Sequence, residues 1–326
     1  DPTGTNAIAN GNGIGFSANP TANIVKGNII SGNHNIGIIL FESADSNEVT
    51  LNLIGVQADG TSALGNGLSG IVIGSGASNN RIGAPGEGNI IAFNGNGGVV
   101  VMDSVSINNT ISANSIFMNE VLPGIDLTPF GVTANDAGDN DTGPNLLMNK
   151  PEIQDAITDP GGLILIQGTI DTQSPETTMI ELFVAEPDAT GYGQGKTYIG
   201  CTAANNLGQW GCYFSFPGIN AGDEITATAT DASGNTSEFA QNVSAIVGIR
   251  NKVKNNDVSV YPNPACDYII INGEDIRNIR ISDINGKILY SGEYRKKLNV
   301  SFLPEGVYIL TIYTDMETIR TKLIRQ

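Results

Sequence analysis

Over residues 1–130 the apolar residues come in short alternating pieces, each introduced by Gly or Asn. The Gly-led pieces are GIGF (13–16), GIIL (37–40), GIVI (70–73), GVVV (98–101) and GIDL (124–127). Between them run two Asn-led series: NIV (23–25), NEV (47–49), NRI (80–82), NTI (109–111), and NII (28–30), NLI (52–54), NII (89–91), NSI (114–116). The segment also echoes itself at long range. DPTGTNAIANGNGIGF (1–16) returns as ADGTSALGNGLSGIVI (58–73), and GNIISGN (27–33) as GNIIAFN (88–94). Apolar residues at alternate positions turn one face inward. Gly and Asn tolerate the left-handed backbone that corners require. No helical period appears. Three short strands per unit, repeating every ~24–33 residues, predict a parallel β-helix of about four coils plus a partial one. Asn stacked on Asn in successive coils can form a ladder of side-chain amides. Asp1 falls inside a repeat, so further coils are expected before it.

The pattern changes after residue 150. Apolar alternation without the Asn repeat appears at 163–170, 178–185, 197–202, 209–216, 224–230 and 238–243, separated by Gly, Pro, Asn and Asp. About seven short strands in this span predict an immunoglobulin-like β-sandwich. A polar, basic stretch, GIRNKVKNN (248–256), reads as a linker. Beyond it, strands are expected at 258–261, 268–272, 277–283, 287–290, 298–301, 306–313 and 318–324, with Asn285–Gly286 as a hairpin turn.

Composition narrows the function. The 326 residues carry a net charge of −17, unevenly spread: residues 1–249 hold 4 Lys/Arg against 24 Asp/Glu, and residues 250–326 hold 12 against 9. Such a balance argues against nucleic acid or an anionic membrane as a partner. No stretch approaches the ~18 apolar residues of a membrane helix, so no transmembrane segment is expected. One His and three Cys are too few for a zinc or iron–sulfur site. The Gly-x-Gly strings precede no strand-to-helix transition and read as coil corners, not phosphate loops. His34, in SGNHNIG, reads as a turn residue.

Four groups remain as candidate chemistry. Glu42 and Asp103 lie five residues after their leading Gly, with Ser75 at that place in the coil between. At about 4.8 Å per coil the two carboxyl groups would stand about 10 Å apart, near the wide limit for a glycoside-cleaving pair. Solvated carboxylates at turns are the plain alternative. Asn135, Asp136, Asp139, Asn140 and Asp141 fall within seven residues with Gly138 among them. Asp136, Asp139 and Asp141 are thus candidate oxygen ligands for a structural calcium at the end of the β-helix, or simply part of a turn. Cys201 and Cys212 sit symmetrically about a turn near 205–208 and fit either a cross-strand disulfide or two reduced thiols, with Cys266 left free. Tyr192, Tyr198 and Trp210 could stack on a sugar ring or pack in the core.

Three resemblances extend this reading. GTSALGNGLSGIVI, SNNRIG and GNIIAFNGNGG resemble the right-handed parallel β-helix repeats of bacterial surface proteins and carbohydrate-active enzymes, over roughly residues 1–130. AGDEITATATDASGNTSEFAQNV (221–243) resembles the last strands of bacterial Ig-like modules. YPNPA (261–265), ISDINGKIL (281–289), LPEGVYILTI (303–312) and KLIRQ (322–326) closely resemble the type A C-terminal sorting domain of the type IX secretion system of Gram-negative bacteria. The last implies export across the outer membrane by that machinery, to the cell surface or the medium. The expected fold is all-β: a right-handed parallel β-helix followed by two β-sandwich domains. The expected domains are a β-helix with its Asp-rich exit loop (1–147), an Ig-like sandwich (148–247), a linker (248–256) and a sorting sandwich (257–326). The expected function is a non-catalytic stalk or glycan-contacting adhesin with a polysaccharide as candidate ligand. The alternative is a β-helix polysaccharide lyase or glycoside hydrolase with its site upstream or at Glu42 and Asp103.

Overall fold

A computed structural model describes residues 1, 3–158, 163–216, 218–247, 258–273, 276–284, 286–314 and 318–325. The protein is all-β, with no helix of seven residues or more among the described residues. It divides into two compact units, Asp1–Ile249 and Arg250–Gln326.

The first unit begins as stacked coils. The Gly-led pieces form one parallel sheet of five strands, Ile14–Phe16, Ile38–Leu40, Ile71–Ile73, Val99–Val101 and Ile125–Leu127. The Asn-led pieces form two parallel sheets of four strands each. Together they have the arrangement of a parallel β-helix. Register follows the repeat: Gly15, Ile39, Val72, Val100 and Asp126 stand side by side in one row. Ile38, Ile71, Val99 and Ile125 stack inward in the next, all buried. Full burial of such a side chain contributes about 1.5–3 kcal/mol. The leading Gly has a steric reason. A Cβ on Gly37 would lie 2.5 Å from the Gly70 carbonyl oxygen, and one on Gly98 2.5 Å from that of Gly124.

Three ladders of Asn amides run along the coils, as the stacked sequence allowed. One passes from Asn23 through Asn47 and Asn80 to Asn109; a second from Asn28 through Asn52 and Asn89 to Asn114; the third from Asn33 through Asn66 and Asn94 to Asn119. At each rung the Oδ1 of one Asn accepts both the side-chain and the backbone N–H of the Asn one coil earlier, as at Asn80, which Asn47 meets at 3.0 Å twice. The remaining amide hydrogen bonds a backbone carbonyl, as from Asn80 to Ala44 at 2.8 Å. A buried Asn needs about this many partners to offset its desolvation.

The described residues of 152–247 fold as two packed sheets, antiparallel except that Ile246–Val247 runs parallel to Glu152–Thr158. One orders Gln209–Ser215, Leu163–Thr169, Glu152–Thr158 and Ile246–Val247; the other Gln194–Ala203, Met179–Glu186, Glu224–Thr230 and Val243–Ser244. Ile164, Ile166, Ile180, Leu182, Trp210 and Ile225 fill the space between them. The strand Glu152–Thr158 was not anticipated. The strand expected over 238–243 shrinks to Val243–Ser244; Ser237–Ala240 stays bonded alongside Glu224–Thr230, from Ser237 N to the Ala229 carbonyl and from Ala240 N to the Ala227 carbonyl, with Phe239 buried in the coil interior and Ala240 in the sandwich core.

Cys201 and Cys212 differ from expectation. The strands that carry them lie in different sheets, so Cys201 stands opposite Glu181 and Cys212 opposite Ile166. The turn at Asn205–Gly208 is an inter-sheet corner and not a two-strand hairpin. All three cysteines are free thiols, with Cys201 and Cys266 exposed.

The second unit is also antiparallel. Ser259–Tyr261, Tyr268–Asn272 and Lys297–Asn299 form one sheet; Ile288–Glu293, Ile276–Asp283, Gly306–Thr314 and Thr318–Arg325 form the other. Ile269, Ile271, Ile279, Ile281, Leu310 and Leu323 are fully buried within it. The linker read at 248–256 lies outside the described residues, as does Asn285 of the expected turn.

Candidate functional site

At the carboxyl end of the coils every ladder would be left with bare donors, and residues from beyond the coils meet them. Asn119 gives both its backbone and its side-chain N–H to Gln194 Oε1, at 3.0 and 2.9 Å, and Gln194 Nε2 donates back to the Asn119 carbonyl at 2.8 Å. Asn109 N donates to Asn145 Oδ1 at 3.0 Å. Beside the end of the second ladder at Asn114, Ser112 Oγ and Ala113 N donate to the buried Glu181 carboxylate at 2.7 and 3.0 Å. Phe183 and Phe239 join the apolar interior of the coils and pack edge to face, with ring centroids 5.6 Å apart. The sandwich therefore caps the β-helix.

The same junction gathers the charged groups of greatest interest. Asp126 continues the row Gly15, Ile39, Val72, Val100, yet it is fully buried. Its Oδ1 accepts from Gly131 N at 2.8 Å, and its Oδ2 has no partner. Burial, together with the nearby Glu238 charge, pushes this carboxyl up to about 6. Glu238, 2% exposed, accepts from Leu127 N at 3.1 Å and from Thr133 N at 2.9 Å. Its Oε2 lies 3.6 Å from Lys150 Nζ. Burial raises the Glu238 pKa and lowers that of Lys150, because desolvation opposes either charge. Lys150 also donates to the Thr133 carbonyl and sits 5.8 Å from the centre of the Tyr192 ring. Outside this cluster lies an open cleft of about 630 Å³, whose walls include Val132, Lys150, Glu152, Tyr192 and Gln241.

The exit loop brings Asp136, Asp139 and Asp141 together, one carboxylate oxygen of each lying within 4.8 Å of the others. Asp139 Oδ1 accepts from Asn149 N at 2.8 Å, and Asp136 accepts from Asn140 N. Burial and the neighbouring Asp136, Asp141 and Asp231 charges push Asp139 up to about 6. Asp141 is raised for the same reasons, burial and then Asp136. Half-buried carboxylates that repel one another in this way would gain from a hard cation.

Glu42 and Asp103 are placed differently. Both occupy left-handed corners, at φ 54° and 63°. Glu42 Oε2 accepts from Ala18 N at 2.9 Å, one coil earlier. Asp103 accepts from Ser75 N, also one coil earlier, and from Val105 N and Ser106 Oγ. Both carboxylates thus tie coil corners together. His34 is exposed at a turn. Of the aromatic candidates, Trp210 is core and Tyr198 packs on Phe183 at 5.5 Å between ring centroids, which leaves Tyr192 at the cleft.

Sequence reasoning did not single out Lys150, Glu181, Gln194 or Glu238. One signal was present: Lys150 is one of four basic residues in the first 249. Asp126 carried another, as the one charge in an aliphatic row.

An all-β chain with stacked parallel coils and antiparallel sheets is the class that the fold defines. Residues 259–326 match the family model of the secretion system C-terminal sorting domain. This is the sorting signal of the type IX system, so the protein is exported by that machinery and is secreted or held at the cell surface. No curated protein matches the chain.

Proposed function

We propose that the protein is a surface stalk or glycan-contacting adhesin displayed outside the outer membrane of a Gram-negative bacterium. On this reading residues 1–147 are a right-handed β-helix, 148–247 an Ig-like module, 248–256 a linker and 257–326 the type A sorting domain. The sorting-domain match over 259–326 carries the reading, since it fixes the route of export. The capped coils add to it: three amide ladders and an apolar interior make a scaffold that holds its form without a partner. The candidate ligand is a polysaccharide at the cleft that Tyr192 lines, where an aromatic ring and several hydrogen-bonding side chains line the same space. Asp136, Asp139 and Asp141 would hold a structural calcium at the junction, a role their clustering favours.

The enzymatic alternative at Glu42 and Asp103 finds less support, because both carboxylates are engaged by backbone N–H groups of the neighbouring coil. Deleting residues 256–326 tests the central claim. The truncated chain should collect in the periplasm, and normal surface display would defeat the reading.

A further inference from the structure

The outer face of the four-stranded sheet in the second unit carries a feature that its export role leaves unassigned. Along Ile276–Asp283 the side chains alternate: Ile279 and Ile281 are fully buried, and Asn278, Arg280 and Ser282 take the opposite face. Arg280 stands opposite Ser291 on one neighbouring strand and Thr311 on the other, and Asn278 stands opposite Glu293 and Tyr313. These residues line a groove of about 430 Å³. The Arg280 guanidinium lies 5.3 Å from the centre of the Tyr313 ring. Its Nε is buried without a hydrogen-bond partner, and no carboxylate of the described residues comes within ion-pairing distance of it, Glu293 in the same groove included. With Nε shut off from solvent, the guanidinium has its two Nη groups to offer; no described residue bonds them, and held on the Tyr313 ring they are arranged to receive a planar anion in a forked contact. The edge strand adds Arg320 opposite Thr311 and Lys322 opposite Ile309, both exposed on this face.

We propose that this groove is a recognition surface of the sorting unit, and that it takes a carboxylate side chain from an acidic surface of the secretion machinery. The proposal rests on the export reading and goes beyond it by naming the face and the chemistry that is read. Charge complementarity selects the partner: residues 250–326 carry 12 Lys/Arg against 9 Asp/Glu, and three of the cations share this face. A protein carboxylate suits the groove better than a phosphate, because Glu293 at its wall would repel a dianion more strongly. Arg280 would then act as the buried anchor, with Arg320 and Lys322 at the rim steering the encounter.

The test is export of the full chain in its own cells, read as the ratio of surface-plus-medium protein to periplasmic protein. Arg280→Ala should lower that ratio by about tenfold or more. Arg280→Lys should recover part of it, since the charge returns without the fork. Arg320→Glu with Lys322→Glu should lower it too, through exposed positions that leave the core untouched. Thermal melting of each purified variant confirms that the unit is folded. Should Arg280→Ala not fold, the Lys and rim variants decide the matter alone. Wild-type export of all the folded variants overturns the groove assignment. So does normal export joined to Arg280-dependent flotation with phosphatidylglycerol vesicles, which would make a lipid headgroup the ligand. Deletion of residues 259–326 is the parallel control. If that deletion leaves export intact, the export reading itself fails; if it blocks export and the groove variants do not, only this proposal falls.

Discussion

Replacing Asp126 by Asn should stabilise the first unit at neutral pH and leave it nearly unchanged in acid. The Asp126 carboxyl is fully buried, one of its oxygens has no partner, and Glu238 lies close by. These conditions raise its pKa from 3.8 to about 6. Well below pH 3.8 the carboxyl is neutral in folded and unfolded chains alike and contributes no difference. As pH rises from 3.8 to about 6 the unfolded chain ionises first, while the folded protein keeps its proton, so stability falls. Above about 6 both forms are ionised and the loss is complete. The gap between 3.8 and about 6 is equivalent to about 3 kcal/mol, and dielectric screening around the loop reduces it to about 1–2 kcal/mol. In the Asn variant the acceptor for Gly131 N is kept, and an uncharged amide replaces the carboxylate whose second oxygen has no partner. Trp210, 5% exposed in the sandwich core, offers a fluorescence signal for unfolding. At pH 7.5 the variant should melt about 2–8 °C above the wild type, at roughly 2–4 °C per kcal/mol for a unit of this size. Near pH 3 the two curves should nearly coincide. Asp139 shares the direction of shift and tilts both pH profiles equally, so it cancels in the comparison. A melting difference that stays constant from pH 4 to 8 would refute the reasoning.

The amide ladders predict that one substitution has unequal costs along one row. Asn80→Ala, mid-ladder and 1% exposed, strands the donors of Asn47 and the Ala44 carbonyl and should cost about 3 kcal/mol or more, whereas Asn23→Ala at the solvent-facing end should cost under about 1 kcal/mol; denaturant unfolding measures both, and equal losses would argue against cooperative ladders. Chelation of divalent cations should lower the melting temperature if calcium holds Asp136, Asp139 and Asp141, by up to that equivalent to about 2.7 kcal/mol for a site at 100 times its dissociation constant; superimposable curves with and without chelator would leave the loop a plain turn.

What could be read from the chain alone was whatever repeats or lies close together in sequence. Coil strands, inward-facing aliphatic rows and Asn ladders obey one local rule applied again and again, so alternation and spacing fixed them before any contact was known. Asp136, Asp139 and Asp141 were visible because six residues of chain cannot carry them far apart. The turn between Cys201 and Cys212 shows where such reasoning stops. Its length and symmetry suit a hairpin and an inter-sheet corner equally, and the choice depends on Glu181 and Ile166, which stand opposite the two cysteines from separate strands. The junction needed still more of the tertiary structure. Gln194 ends a ladder 75 residues upstream, at Asn119, and Glu238 meets Leu127 across 111 residues. No period or motif announces such pairs. They exist because the open end of the β-helix exposes donors and an apolar interior, and burying these requires whatever side chains the following sheets can bring to that surface.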